Sequence, residues 1–442
     1  MADVDVEAGL GGSQRRKKTN VEILLDCKEK GETLSKKPSP SIYMIRSSDH
    51  NLKPKFFKPQ VVSIGPLHRE DQTLKEFEDQ KTTHLHHLLE CLKDDDAGMI
   101  LDKCLQKVTN SIKEIKECYG GMKTNIDDDE LAKMMVMDAC FILDFLFLSE
   151  EHRRSTSRNA ILTHSIFRDL VLLENQIPFF VLQHIFDCTI SKIQADSLTS
   201  SLFKKLECII PFKGITDNHI IGTTLPHHIL GLLQKSFYPP HPIKSTCPPL
   251  PYPNHSAVEL HEAGVKFKPM HKDENRWPLA IDFSSSPFEC FKGCCRSPIL
   301  RMPTMDINDN TELFLRNVIA YEQCTPDVPD YITSYVCAID MLVDTKEDLS
   351  KLVKSKVLTN HLGSNKDATK MLNEISKQFV FEEFYYANEW HQLHEYYNGY
   401  VPRNIALLKR TYFSSPWNII ALLAAIILFT LAIIQTVLRI IK

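Results

Sequence analysis

Glycine is scarce: 15 of 442 residues, about half the usual share of roughly 7%. Neither GxxxxGK[ST] nor GxGxxG occurs, so the glycine loops that let a backbone close around phosphates have no candidate. GxSxG is missing as well, which removes the strained serine elbow of the α/β hydrolases. Positive charge is not in excess. The formal net charge is -4 and the pI about 6.5, giving no electrostatic drive toward nucleic acid. No apolar run precedes Val21, so the hydrophobic segment of a secretory signal is lacking and the bulk of the chain is expected to start in the cytosol. Thirteen cysteines form an odd set spread over helical-looking segments, unlike a disulfide framework, and read as reduced thiols.

What the chain does have is a greasy end. Ile419 to Leu438 reads IIALLAAIILFTLAIIQTVL, with no charged side chain. Twenty residues of helix rise about 30 Å, the hydrocarbon thickness of a bilayer. Tyr412, Phe413 and Trp417 precede the run at headgroup depth, and Lys409, Arg410, Arg439 and Lys442 bracket it. The sequence therefore predicts a single-pass membrane anchor over 413–442, with Trp417, Ile419, Leu422, Ile426, Phe429, Ile433 and Leu438 facing lipid. Ala421 and Ala425 have the spacing that lets two spans pack, so a homo-oligomer through the span is a candidate. A span this late inserts after synthesis, which with the weak charge bias places the body in the cytosol, at the plasma membrane or an endomembrane.

Residues 1–18, ending in the basic run Arg15 to Lys18, read as a disordered, solvated arm. Residues 19–412 read as mostly helical. Gln72 to Leu92 carries an amphipathic stripe through Leu74, Phe77, Leu85, Leu88 and Leu92, and the pattern resumes through Leu105, Val108, Ile112 and Ile115. Asp127 and Glu130 have capping-box spacing before LAKMMVMDACFILDFLFLSE, apolar almost all round and expected as a central buried helix. Asp138 and Asp144 argue against a second span, since each would cost about 3 kcal/mol at mid-bilayer depth. Seven prolines fall between Tyr238 and Asn254, predicting an extended Pro-rich loop at 238–254. Short β-branched patterns between Val265 and Ile307 predict a small sheet, and helices return from Thr311. The fold class is mainly α with a minor β element (α+β): a large helical globular body plus one C-terminal transmembrane helix.

Candidate chemistry is thin. Cys290, Cys294 and Cys295 form a CxxxCC cluster without the second ligand pair a zinc site needs, and read as loop thiols or palmitoylatable cysteines. His84, His86 and His87 point in different directions from one helix and read as surface or capping residues. Asp138 and Asp144 lie about 120° apart on a helix, too divergent for a catalytic pair, and each is expected to answer a buried donor. No catalytic, cofactor or metal residue is assigned.

The most unusual polar group is Glu174-Asn175-Gln176, set in an apolar run beside Pro178. Pro178 should kink the helix or start a new one, with Asn175 and Gln176 placed where a cap is useful. Two readings stay open: a structural polar hub of Glu174, Asn175, Gln176 and Pro178, which is favoured, and an enzyme whose general acid is Glu174 with His184 nearby.

Several ordered blocks carry a family resemblance. VVSIGPLHREDQTLKEFEDQK, with Ile64-Gly65-Pro66, His68, Glu78 and Lys81, is followed in order by MMVMDACFILDFL, DLVLLENQIPFFVL, VELHEAGVKFK, TELFLRNVIAYEQ and YFSSPWNIIALLAAIILFTLAIIQT. Together they resemble the plant domain-of-unknown-function 247 family from about Ile42 to the end. The resemblance implies a plant membrane protein with one C-terminal span and no established catalytic activity, some of whose relatives are implicated in pollen and stigma self-recognition in grasses. It names no ligand. The combined expectation is a non-enzymatic recognition or signalling component with a bilayer and an unidentified protein as partners, and no nucleic acid.

Overall fold

The computed structural model describes residues 25, 27–28, 39–45, 53–92, 96–120, 126–148, 160–216, 224–243, 255–270, 276–285, 298–377, 383–400, 402, 404 and 416–441. The basic arm, Cys290, Cys294 and Cys295, and positions 244–254 of the Pro-rich loop lie outside the described residues. Two compact units divide the chain, Met1–Ser39 and Pro40–Lys442. In the first, Leu25, Cys27 and Lys28 are helical. All else described here belongs to the second.

The amphipathic stripe becomes α1 (Glu78–Cys91), preceded by a 3-10 turn at Gln72–Phe77, then α2 (Ala97–Asn110) and α3 (Ile112–Glu117). Asp127 caps α4 (Asp128–Leu143) by accepting from the Asp129 N–H. Because α4 is apolar on nearly every face, only a central position buries it. Leu131, Met135, Ala139, Phe141, Ile142 and Leu143 are fully buried, with α1, α2 and α6 (Phe179–Cys188) packed around them. The helix ends in a π-turn, Asp144–Leu148.

After α5 (Ala160–Asp169), the chain leaves helical geometry until Pro178, which occupies the N-cap position of α6 with φ -57° and ψ 137°. The proline thus starts a new helix. Next come α7 (Leu198–Leu206), α8 (Ile229–Lys235) and α9 (Ala257–Glu262), the last opened by a Ser256–Glu259 capping box.

The β content is slight. β1 (Ile42–Tyr43) pairs in parallel with β2 (Tyr119–Gly120). β3 (Lys266–Pro269), β4 (Asp282–Ser284) and β5 (Ile299–Met302) make the small sheet expected between Val265 and Ile307, in the order β3-β5-β4, with Leu300 opposite Phe267 and Phe283. β6 (Met305–Ile307) pairs in parallel with β7 (Leu358–Asn360). Around them lie α10 (Asp309–Cys324), α11 (Tyr331–Leu342), α12 (Lys346–Lys354), α13 (Asn365–Ser376) and α14 (Ala387–Asn398).

The chain's apolar end forms α15 (Pro416–Ile441). Trp417–Ile440 is the single helix among the described residues long and apolar enough to cross a membrane, with mean hydropathy 2.6 and none of its apolar window buried. Trp417, Ile426, Phe429, Ile433 and Leu438 are exposed, and Ile419 and Leu422 are half-buried. The fold is therefore helix-rich with a few short strands.

Candidate functional site

The buried polar residues converge on one problem. Residues 57–65 follow the 3-10 turn Pro54–Phe56 without helix or strand geometry, yet Phe57, Val62 and Ile64 are buried. Their backbone groups have no ladder to join and need side-chain partners.

Asp169, at the end of α5, accepts from three successive amides: Gln60 at 3.0 Å, Val61 at 2.7 Å and Val62 at 3.0 Å. Burial outweighs those bonds and pushes its carboxyl up to about 6. Asn175 accepts from the Ile64 amide at 2.7 Å and donates to the carbonyls of Val62 and Asp169, each at 3.0 Å. Glu174 accepts from the Ile45 amide at 2.8 Å, and its other oxygen receives the Nε2–H of His68 at 2.7 Å. Gln176 donates to the carbonyls of Leu170 and Leu172 and accepts from the Leu230 amide at 3.3 Å. It therefore serves the N-terminus of α8. No side chain caps α6, so the expected capping role of Asn175 and Gln176 is corrected: they act at a distance. At Gly65, φ is +73°, and a Cβ there would lie 2.5 Å from the Gln176 carbonyl oxygen. The turn and the hub thus meet without room for a side chain.

Sequence reasoning missed several participants. Lys81 is fully buried and donates to Asp138 and to the Ser63 carbonyl, each at 2.5 Å. Asp138 also accepts from the Gly65 amide at 2.8 Å; burial raises its carboxyl, while Lys81 and Gly65 oppose the rise. A signal existed, since Lys81 continues the Phe77, Leu85, Leu88 stripe. Asp144 takes the Nδ1–H of both His84 and His87 at 2.6 Å. These histidines, expected on the surface or at caps, instead clamp a buried carboxylate. Asn317 of α10 closes the network, accepting from the Leu173 amide and donating to the Phe56 carbonyl, both at 2.8 Å.

His184 is not among the partners of Glu174, both of whose oxygens are engaged elsewhere. On α6 its ring stands edge-on to Phe180, and burial lowers its pKa. No group of three or more His, Cys, Asp or Glu among the described residues could hold a metal.

A cavity of about 530 Å³ among the described residues is lined by Glu322, Asp327, Asp330, Glu383 and Tyr385, with prolines between them. Its deepest carboxylate is structural. Glu322 accepts from the Ile332 and Thr333 amides at 3.1 and 2.8 Å, capping α11 from α10, and from Gln234 at 3.0 Å. Burial pushes it up to about 7. An acidic lining of this kind does not specify a ligand.

Comparison with known proteins places the chain among relatives without an assigned activity. The family described as DUF247, plant protein of unknown function, matches residues 42–431. UPF0481 protein At3g47200 of Arabidopsis thaliana is 29% identical over 431 residues, covering 92% of this chain and 87% of that protein. Putative UPF0481 protein At3g02645, from the same plant, is 23% identical over 481 residues, covering 86% and 87%. No solved structure is significantly similar to the chain.

Proposed function

Given that the chain belongs to the DUF247 family of plant proteins of unknown function, we propose that it is a single-pass membrane-anchored, non-enzymatic component of recognition or signalling. Its helical body presents a partner-binding surface. The carrying observation is Trp417–Ile440, whose Leu, Ile and Phe side chains face outward. At about 1.5–3 kcal/mol for each large apolar side chain removed from water, burying the span in lipid contributes on the order of 20 kcal/mol. Four further charges near its ends, Lys409, Arg410, Arg439 and Lys442, suit headgroup depth.

A binding role is supported by how the buried polar groups are spent. Glu174, Asp169, Asn175 and Asp138 each bond backbone amides of the 45–65 region, so they hold the fold instead of facing a substrate. The bilayer is one partner and an unidentified protein the other. The body lies on the cytosolic side of the plasma membrane or an endomembrane, and two copies associate through Ala421 and Ala425.

Alkaline carbonate extraction of plant membranes tests the anchor. The full chain should stay in the pellet and a chain ending at Ser415 should move to the supernatant. Release of the intact chain, or pelleting of the shortened one with lipid vesicles, would sink the proposal. A proximity label on the N-terminus should mark cytosolic neighbours; cell-wall neighbours would reverse the orientation.

A further inference from the structure

Polar side chains are few on α15, and they are not satisfied alike. The Thr430 hydroxyl donates to the Ile427 carbonyl and the Thr436 hydroxyl to the Ala432 carbonyl, each at 2.8 Å, so both find their partners within the helix itself. Gln435 does not. It is exposed, and among the described residues nothing bonds its side-chain amide. Water would serve it on a soluble helix, but Gln435 lies inside the uncharged run Ile419 to Leu438, where hydrocarbon offers neither donor nor acceptor. Only about 4.5 Å of helix rise separates it from Leu438, yet the Cα–Cβ bond of a helical residue tilts toward the N-terminus. The amide is therefore aimed at mid-bilayer, away from the nearer surface, where leaving it without a partner is costly.

Gln435 also stands on the narrow face of the helix. At about 100° per residue, all four alanines of α15, Ala421, Ala424, Ala425 and Ala432, fall within an arc of about 100°, and Gln435 falls inside that arc. Ile419, Leu423, Ile426 and Ile434 lie on the opposite side. Ala421, Ala425, Leu428, Ala432, Gln435 and Arg439 follow one another at intervals of 4, 3, 4, 3 and 4 residues, the spacing of the seam between two helices that wind around each other. Small side chains let two backbones approach closely, which brings an amide on the same face within reach of its counterpart.

A second copy of this chain fits both features. In a parallel pair related by a two-fold axis each position meets itself, so Gln435 faces Gln435. An amide carries both a donor and an acceptor, and each can donate to the other's carbonyl oxygen. With the two runs centred on each other, an antiparallel pair would instead set Gln435 against Leu422, which has nothing to bond. Arg439, one turn beyond Gln435, is at headgroup depth, where phosphate and water meet its charge.

We propose that Gln435 is the hydrogen-bonded register point of a parallel, self-paired α15. A single polar residue in an otherwise apolar seam fixes register and partner number. The pairing rests on α15 lying in a bilayer, as proposed above. To Ala421 and Ala425 it adds the residue that sets the direction and the height at which the two spans meet.

Full-length chains carrying a donor or an acceptor fluorophore after Lys442, reconstituted together in phosphatidylcholine vesicles at falling protein-to-lipid ratio, report the association through energy transfer between neighbouring C-termini. The parent should self-associate. Gln435→Leu, which keeps the span apolar, should weaken association about threefold to tenfold. Gln435→Asn should recover at least half of that loss on a logarithmic scale, and Thr430→Val, on the opposite face, should stay within about twofold of the parent. Alkaline carbonate extraction of the same vesicles separates the two readings: a chain that washes off defeats the anchor and the pairing with it, whereas a chain that stays in the pellet without energy transfer defeats only the pairing. Parent-like association of Gln435→Leu, an asparagine variant as weak as leucine, or an equal loss in Thr430→Val would each overturn the role of Gln435.

Discussion

Replacing Glu174 separates a structural hub from a catalytic acid, because the two demand opposite outcomes from two substitutions. Glu174 is 3% exposed and holds the Ile45 amide and the His68 Nε2–H. Alanine leaves both donors without an acceptor. At about 1–3 kcal/mol for each orphaned donor, the loss is on the order of 4 kcal/mol, a fall in unfolding midpoint of about 4 °C for a chain of this size. Glutamine keeps an acceptor for Ile45 and turns an amide toward His68, which can accept at Nε2 by carrying its proton on Nδ1. The charge assistance is lost, about 1 kcal/mol. Thermal unfolding of the full chain in detergent, followed by intrinsic fluorescence, should therefore rank parent, Glu174→Gln and Glu174→Ala in that order. An alanine variant within about 1 °C of the parent would refute the hub. A fully stable, correctly localised Glu174→Gln chain without biological function would instead favour acid chemistry at this carboxylate.

Two further predictions rest on buried charge. Lys81→Met removes the cation opposite Asp138 and should cost about 3–5 kcal/mol, while the double replacement Lys81→Met with Asp138→Leu should recover part of that loss; equal stability of the single variant and the parent in denaturant unfolding would contradict the pairing. Glu322 has a folded pKa raised by burial to about 7 from 4.5. Its contribution is fully present below about pH 4.5 and is lost as pH rises through about 7, on the order of 3 kcal/mol. Glu322→Gln should flatten the unfolding midpoint between pH 5 and 7.5, and an unchanged pH slope would show that another group sets it.

Elements that repeat locally were legible before any coordinates. The stripe of α1, the all-round apolarity of α4, the break at Pro178 and the long apolar terminal helix each follow from residues within one or two turns of one another. Partners were not. Asp169 serves amides 107 to 109 residues away and Asn317 reaches 261 residues back to Phe56. Periodicity says which face of a helix is buried but not what a polar residue on that face will meet. Lys81 shows the limit well: its place in an apolar stripe signals burial, and the obligation to find a carboxylate follows, but only α4 packed against α1 reveals that Asp138 answers it. His84 and His87 were misread for the same reason, since their convergence exists only on Asp144 of the neighbouring helix.

The composition of the hub also constrains how function can be mapped. A segment that is buried without regular geometry is normally costly, because each unpaired amide loses its water. Here the acceptors come from α4, α5 and the turn before α6, and Asn317 of α10 donates to the Phe56 carbonyl, so elements from Ile45 to Asn317 depend on one set of bonds. Removing any member loosens a shared structure, and effects of neighbouring changes should not add. Loss of function in random variants will therefore gather on Asp138, Asp169, Asn175 and Gly65 whatever the protein binds. Partner recognition has to be sought in variants that leave the unfolding midpoint unchanged.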